Sequence, residues 1–249
     1  MSKTVQTQIC SYDADAIYLR GKNLVDDVVG QYDFGSAFLL QALGTEATEK
    51  QKKVLDIALV TIMEHGLVPS VVTSRLTLHG APESLQGAVA AGLLGVGDRY
   101  AGTASLCAEL VEEIRSSDSM VDSATAIVKR RRVARDPVPG FGHPIHTGKD
   151  PRVAKLLSYV PNSSTALAAA LCLEQALSES LKKKLVMNVS TALAVLLLDA
   201  DLPVRMIRGI VLIARCAGLV GHLLEEEIDP IGGDLWNGAS AAVSQPSVE

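Results

Sequence analysis

Aromatic side chains are scarce in this chain: three Phe, five Tyr and one Trp among 249 residues. In their place a 48% hydrophobic composition is dominated by Ala, Leu and Val, a mix that favours packed helices over a β-sandwich. The four cysteines, Cys10, Cys107, Cys172 and Cys216, have neither metal-ligand nor redox spacing, which suits packed, reduced thiols. No apolar run reaches membrane-spanning length, since Ala192 to Leu198 stops at Asp199 and the run around Ile210 is broken by Arg215. Met1 to Cys10 lacks the charged-then-apolar pattern of a secretion signal. An excess of positive charge is missing too: 23 Lys and Arg face 28 Asp and Glu, for a net charge of -5, which argues against a broad nucleic-acid surface. The expectation is an all-α cytoplasmic protein with neither nucleic acid nor membrane as partner, long enough for one core with or without a smaller satellite.

What is present reads as a succession of helices. Apolar residues recur at helical spacing from Leu24 to Leu43, with Gly44 as the stop. Thr48 with Gln51 forms a capping box for a helix to about Met63. Ser84 to Gly97 is rich in small residues that allow close helix approach, and Ala101 to Ile114 continues as another helix. After a break at Ser116 to Ser119 comes a helix carrying Lys129, Arg130, Arg131 and Arg132, either a solvated helix end complementing the macrodipole or a holder of an anion. The loop Asp136 to Lys149 contains Pro137, Pro139, Gly140, Gly142, Pro144 and Gly148, which forbid regular helix. Asp150 and Pro151 read as N-cap and first helical residue, placing Arg152 in a first turn. Helices over Ser164 to Leu181, Leu185 to Leu198 and Pro203 to Glu227 complete the count, and the tail after Pro246 looks disordered.

The loop Pro139-Gly140-Phe141-Gly142-His143-Pro-Ile-His146 delivers two of the five histidines beside the helix start that carries Arg152. Free N–H groups, a guanidinium and an imidazole that titrates near neutrality together suit an anionic substrate undergoing proton transfer. A metal site is disfavoured, because Pro144 keeps His143 and His146 off a common helical face and no Cys, Asp or Glu partners cluster nearby.

Gly140-Phe-Gly-His143 and Asp150-Pro-Arg152 together resemble the active-site signature of the citrate synthase superfamily. The resemblance runs over nearly the whole chain: Ile17-Tyr-Leu-Arg-Gly21 resembles the family's N-terminal strand-turn, Glu64-His65-Gly66 its first substrate-histidine segment, and Ala214-Arg-Cys-Ala-Gly-Leu-Val-Gly-His222 its late substrate-arginine helix. It implies a mostly helical homodimer or higher homo-oligomer with a large helical domain, residues 1–105 and 208–249, a small helical domain, residues 106–207, and an active site in the cleft between them. His65, His143, Arg152 and Arg215 fall on positions that hold the keto-acid or hydroxy-acid portion of the substrate, and Arg75 on a position where synthases carry arginine. Pro139, Gly140, Phe141 and Gly142 then become contacts for coenzyme A, which is expected as part of substrate or product with no tightly bound cofactor.

Three departures place the chain within the superfamily. The second synthase histidine, which donates to the thioester oxygen, is replaced by Tyr100 in Gly97-Asp-Arg-Tyr-Ala-Gly102, a segment that resembles the citryl-CoA lyase module of ATP-citrate lyase. The family carboxylate that moves the proton at the acetyl carbon falls in an Asn-Val-Asp segment that here reads Asn188-Val189-Ser190. The late arginine that the family supplies across the dimer to a terminal carboxylate, distinct from Arg215, has no obvious counterpart in Ile228 to Ser240, which contains no Arg or Lys. The resemblance therefore implies a lyase that cleaves a 3-hydroxy-3-carboxyacyl-CoA to acetyl-CoA and a 2-oxo acid, with His143, Tyr100 and Ser190 at the reacting centre. Synthase-type condensation, thioester hydrolysis and non-catalytic binding of CoA or carboxylate remain open.

Overall fold

The computed structural model describes residues 6–99, 102–142 and 150–243. Tyr100, His143, His146 and the tail after Pro246 therefore lie outside the described residues. The chain divides into two compact units, Met1–Ile57 and Ala58–Glu249.

The first unit opens with an antiparallel meander of three short strands, β1 (Cys10–Tyr12), β2 (Ile17–Leu19) and β3 (Lys22–Asn23), in that order. Asp13 Oδ1 accepts from the N–H of Asp15 and of Ala16, both at 2.9 Å, and turns the chain between β1 and β2. Arg20 and Gly21, at φ 51° and 83°, form the two-residue turn into β3, whose positive dihedrals match strand twist. The helix expected from Leu24 starts late: Leu24–Val28 is a single π-helical turn, and α1 spans only Phe34–Leu43. Gly30 at φ 78° interrupts the backbone, and Asp33 caps α1 by accepting from Ser36 N at 2.6 Å. Gly44 closes it in the left-handed conformation, as expected. The capping box of α2 (Glu49–Ile62) forms in both directions, with Gln51 N donating to Thr48 Oγ1 and Thr48 N to Gln51 Oε1.

The second unit is helical. It contains α3 (Pro69–Gly80), α4 (Leu85–Leu94), α5 (Thr103–Arg115), α6 (Met120–Val133) and α7 (Pro151–Leu157). It continues with α8 (Thr165–Leu181), α9 (Val189–Asp199), α10 (Val204–Ile228) and α11 (Gly232–Ala242). The expected helices do not include α3 or α11; the buried face of α3 carries the polar Ser70, Ser74 and Arg75 beside Val71 and Leu78. At the centre is α9, buried on every side from Thr191 to Leu198 and packed by α5, α7, α8 and α10; a helix apolar all round belongs in a core. The run around Ile210 is not broken at Arg215. It continues as the 25-residue α10, long and apolar enough to cross a membrane by length and composition, yet its apolar face is buried against α3, α4 and α5. The small-residue face of α4 is used inside the chain as well: a side chain at Gly92 would lie 2.8 Å from Leu219 and 3.0 Å from the Ser70 carbonyl.

Candidate active site

Within the second unit a cleft of about 800 Å³ draws its walls from residues between Ile62 and Arg215. The loop Pro139–Gly142 forms one wall and is pinned to the segment before α9. Asn188 N and Thr191 Oγ1 both donate to the Gly140 carbonyl, at 2.9 and 2.8 Å. Gly142 N donates to the Val186 carbonyl and Asn188 Nδ2 to the Gly142 carbonyl, each at 2.9 Å, while Phe141 pairs with Met187 as a β-bridge. Gly140 needs its identity: at φ 84° a side chain would meet Thr191 Oγ1 at 2.1 Å and Cys107 Sγ at 2.3 Å. Cys107 behind it is buried, and burial pushes its thiol up to about 12, so it packs as an inert apolar group.

The same pinning brings Ser190 to the cleft wall at the start of α9. Asn188 caps that helix, its Oδ1 accepting from Ser190 N at 2.9 Å. Opposite charge arrives from α7: Asp150, as expected, is the N-cap, and it grips the Arg152 side chain as well as its N–H. Nε donates to Oδ1 at 3.0 Å and Nη2 to Oδ2 at 2.8 Å, the planar two-point pairing that fixes a guanidinium in orientation. Arg131 joins the wall from the end of α6, held by Asp136 at 2.6 Å and the Pro137 carbonyl at 3.1 Å.

Arg215 sits deeper, 4% exposed. Its Nη1 donates to the carbonyls of Ile62 and Met63 at the end of α2, at 3.3 and 3.2 Å. Its Nε and Nη2 have no hydrogen-bond partner among the described residues. Burial lowers the guanidinium below its ordinary range, with the Glu64 charge opposing. Arg215 thus borders the cleft as a desolvated cation with two buried, unused donors, a combination suited to an anion. His65 lines the same cleft but is exposed, so it is not the packed histidine that its apolar neighbours would allow.

The structure thus gathers His65, Arg152, Arg215, Ser190 and the loop Pro139–Gly142 around one cavity. It places Arg75 elsewhere. That side chain is buried among carboxylates, with Nη1 donating to Glu226 Oε2 at 2.6 Å and Nη2 to Glu225. Its Nη2 also donates to His222 Nδ1 at 2.9 Å. Glu226 Oε1 in turn accepts from the N–H of Ile231 and Gly232 at the start of α11. Arg75 therefore ties α3 to α10 and α11.

Of the basic run, only Arg131 reaches the cleft. Arg130 pairs with Glu113 through two 3.0 Å bonds, and Lys129 and Arg132 border a separate hollow between α6 and α8. The cleft also contains Glu64, whose Oε1 accepts from His65 N at 2.7 Å and Gly66 N at 2.5 Å. The sequence signal for it was its place in Glu64-His65-Gly66.

The chain resembles known proteins over most of its length. The probable ATP-citrate synthase subunit 1 of Schizosaccharomyces pombe is 27% identical over 194 residues, covering 70% of this chain and 31% of that protein. The chain thus spans about a third of the length of that curated relative. Citryl-CoA lyase from Hydrogenobacter thermophilus superposes with a TM-score of 0.84 at 26% identity, covering 99% of this chain and 96% of the other. ATP citrate lyase from Methanothrix soehngenii, solved with citrate and coenzyme A, superposes at 0.79 and 22% identity over 100% of this chain and 42% of that one, and shows the shared fold. With residues 4–232 matching the citrate synthase C-terminal domain, the chain belongs to the citrate synthase family.

Proposed function

We propose that the protein is a carbon–carbon lyase that cleaves a 3-hydroxy-3-carboxyacyl-CoA of the citryl-CoA type into acetyl-CoA and a 2-oxo acid. The observation that carries this reading is the pair of cleft arginines, Arg152 fixed in orientation by Asp150 and Arg215 buried with two unused donors. Two such cations suit a substrate with a carboxylate on the carbon that becomes a ketone. The likeness to a citryl-CoA lyase over almost the full length of both chains supports the reaction class. The pinned loop Pro139–Gly142 gives a rigid rim for the coenzyme A arm. His143 accepts the hydroxyl proton, and Tyr100 donates toward the thioester oxygen. In this reading residues 1–105 with 208–249 form the large domain and 106–207 the small one, and the working form is a cytoplasmic homodimer. The dimer rests on the family alone, because the small-residue face of α4 is filled within the chain.

The test is product analysis on purified protein with citryl-CoA, citramalyl-CoA and malyl-CoA. Cleavage yields acetyl-CoA and a 2-oxo acid. Release of free coenzyme A with the intact hydroxy acid identifies a thioesterase instead, and no turnover on any of the three rejects the lyase reading. In the active protein, His143→Ala lowers turnover about a hundredfold or more, whereas Arg152→Ala mainly weakens binding of the acid portion.

A further inference from the structure

The lyase reading leaves one task without an owner. A serine hydroxyl at position 190 is too weak an acid or base to move the proton at the carbon beside the thioester. We propose that Glu64 performs that transfer, so that the acid–base carboxylate of this protein comes from the end of α2 instead of the start of α9.

Among the described residues three carboxylates border the cleft; the buried Asp150 does not line it and is committed to Arg152. Asp98 is 61% exposed and paired with Arg208, and Asp136 is 57% exposed and paired with Arg131. Glu64, 43% exposed, is the most sheltered of the three, and it adjoins His65 and the deep cation Arg215. It is also the best oriented. Two backbone N–H groups fix Oε1, and His222 Nε2 lies 2.8 Å from Oε2, a close contact short of hydrogen-bond alignment. The state of His222 follows from its other neighbour. Arg75 Nη2 can only donate, so His222 Nδ1 accepts and the ring proton sits on Nε2, on the Glu64 side. The buried pairing of Arg75 with Glu226 holds that imidazole from behind.

The result is a carboxylate held ready in its basic form. Burial works against its ionisation, but the His222 contact and the N–H groups of His65 and Gly66 outweigh burial and keep Glu64 below the ordinary range.

The step balances in both directions. With acetyl-CoA bound, Glu64 takes a methyl proton: the C–H bond breaks, an O–H bond forms, and the electron pair passes to the enolate. In cleavage, His143 takes the hydroxyl proton and the C2–C3 bond breaks toward C2. That proton passes from His143 through water to Glu64, which delivers it to C2 of the enolate, so both groups end as they began. Glu64→Gln is the informative change because the amide oxygen still accepts from His65 N and Gly66 N while the base is gone.

This proposal rests on the lyase reading, and the experiment separates the two. Wild type and Glu64→Gln are compared in deuterated water for loss of the acetyl-CoA methyl signal and for cleavage of the active substrate, with acetyl-CoA affinity measured alongside. The expected result is a loss of about a hundredfold or more in exchange and cleavage, with affinity unchanged. Glu64→Asp, which keeps the charge on a shorter stem, falls between the two. If the wild type cleaves and exchanges while the Gln protein matches it, this proposal alone is overturned. If the wild type cleaves no acyl-CoA, the lyase reading falls and takes the proposal with it.

Discussion

Asp150 holds Arg152 by two edges at once, its Oδ1 serving both the backbone N–H and the side-chain Nε of a residue two positions on, each at 3.0 Å. One carboxylate therefore starts a helix and aims a substrate cation. This explains why Asp150 is only 4% exposed although it is charged: its partner neutralises it and the helix start satisfies it.

Removing that grip separates its two roles. Asp150→Asn retains a helix cap but loses the charge that fixes the guanidinium, so stability falls by at most about 1 kcal/mol. The cation is then free to wander. The expected kinetic result is a KM for the acyl-CoA raised about tenfold or more, with a smaller change in kcat. Steady-state kinetics beside a thermal melt check this, and an unchanged KM would show that Arg152 does not touch the acid portion.

The two glycines of the loop make a contrast that one pair of melts can read. Gly140→Ala must hold φ 84° and place a methyl 2.1 Å from Thr191 Oγ1, which costs about 3 kcal/mol from strain and overpacking together. For a chain of this size that lowers Tm by about 10 °C. Gly142→Ala, at φ 75° but with Leu185 no nearer than 3.7 Å, costs only the backbone strain of about 1 kcal/mol. Equal losses would mean that the loop is not pinned against α9.

Much of the fold was legible because local rules and packing agreed. Thr48 with Gln51, Gly44, and Asp150 before Pro151 each sit at a helix end where the sequence places them. The helix from Leu24 was misplaced because periodicity does not register Gly30, whose left-handed backbone stops it. The cleft was legible where chemistry is local, as in Pro139–Gly142 with Arg152 and Ser190. Arg75 was not: its companions Glu225 and Glu226 lie 150 and 151 positions away, and a family position carries no information about which way a side chain is turned. Glu64 lay in view beside His65, but the neighbour that orients it, His222, comes from the other end of the chain.

The Arg75 cluster predicts a pH dependence. Burial tends to raise the Glu226 carboxyl, but Arg75 and the N–H groups of Gly232 and Ile231 outweigh it and hold Glu226 below the ordinary range. A carboxylate depressed in the folded state contributes stability that is fully present above its unfolded value, about 4.3, and is lost as pH falls through its lower folded value. Urea midpoints should drop from pH 5 to pH 3 more steeply in the wild type than in Glu226→Gln. At pH 7 Glu226→Ala should cost about 3 kcal/mol or more, because it strips a buried guanidinium of its buried partner; a cost below about 1 kcal/mol would show that Glu225 alone suffices.

The last prediction concerns Ser190→Asp, which restores the residue type that the family carries. The position itself accepts a carboxylate: Ser190 is half-buried in the first turn of α9, where exposed N–H groups and the helix dipole favour negative charge, and Asn188 continues to cap the helix. The variant should therefore fold with an unchanged Tm. Function is another matter, because Glu64 already brings a carboxylate to the cleft that Ser190 lines. A second negative charge opposes ionisation of the first and repels the substrate carboxylate drawn there by Arg152 and Arg215. Absence of the late arginine across Ile228 to Ser240 leaves no further cation from that segment to offset it. Cleavage of the active acyl-CoA should fall about tenfold or more, mainly through KM. Methyl proton exchange on acetyl-CoA, which carries no such carboxylate, should fall less. A gain in both exchange and cleavage would mean that the pocket had merely lost its aspartate, and Glu64 would then have no part in the chemistry.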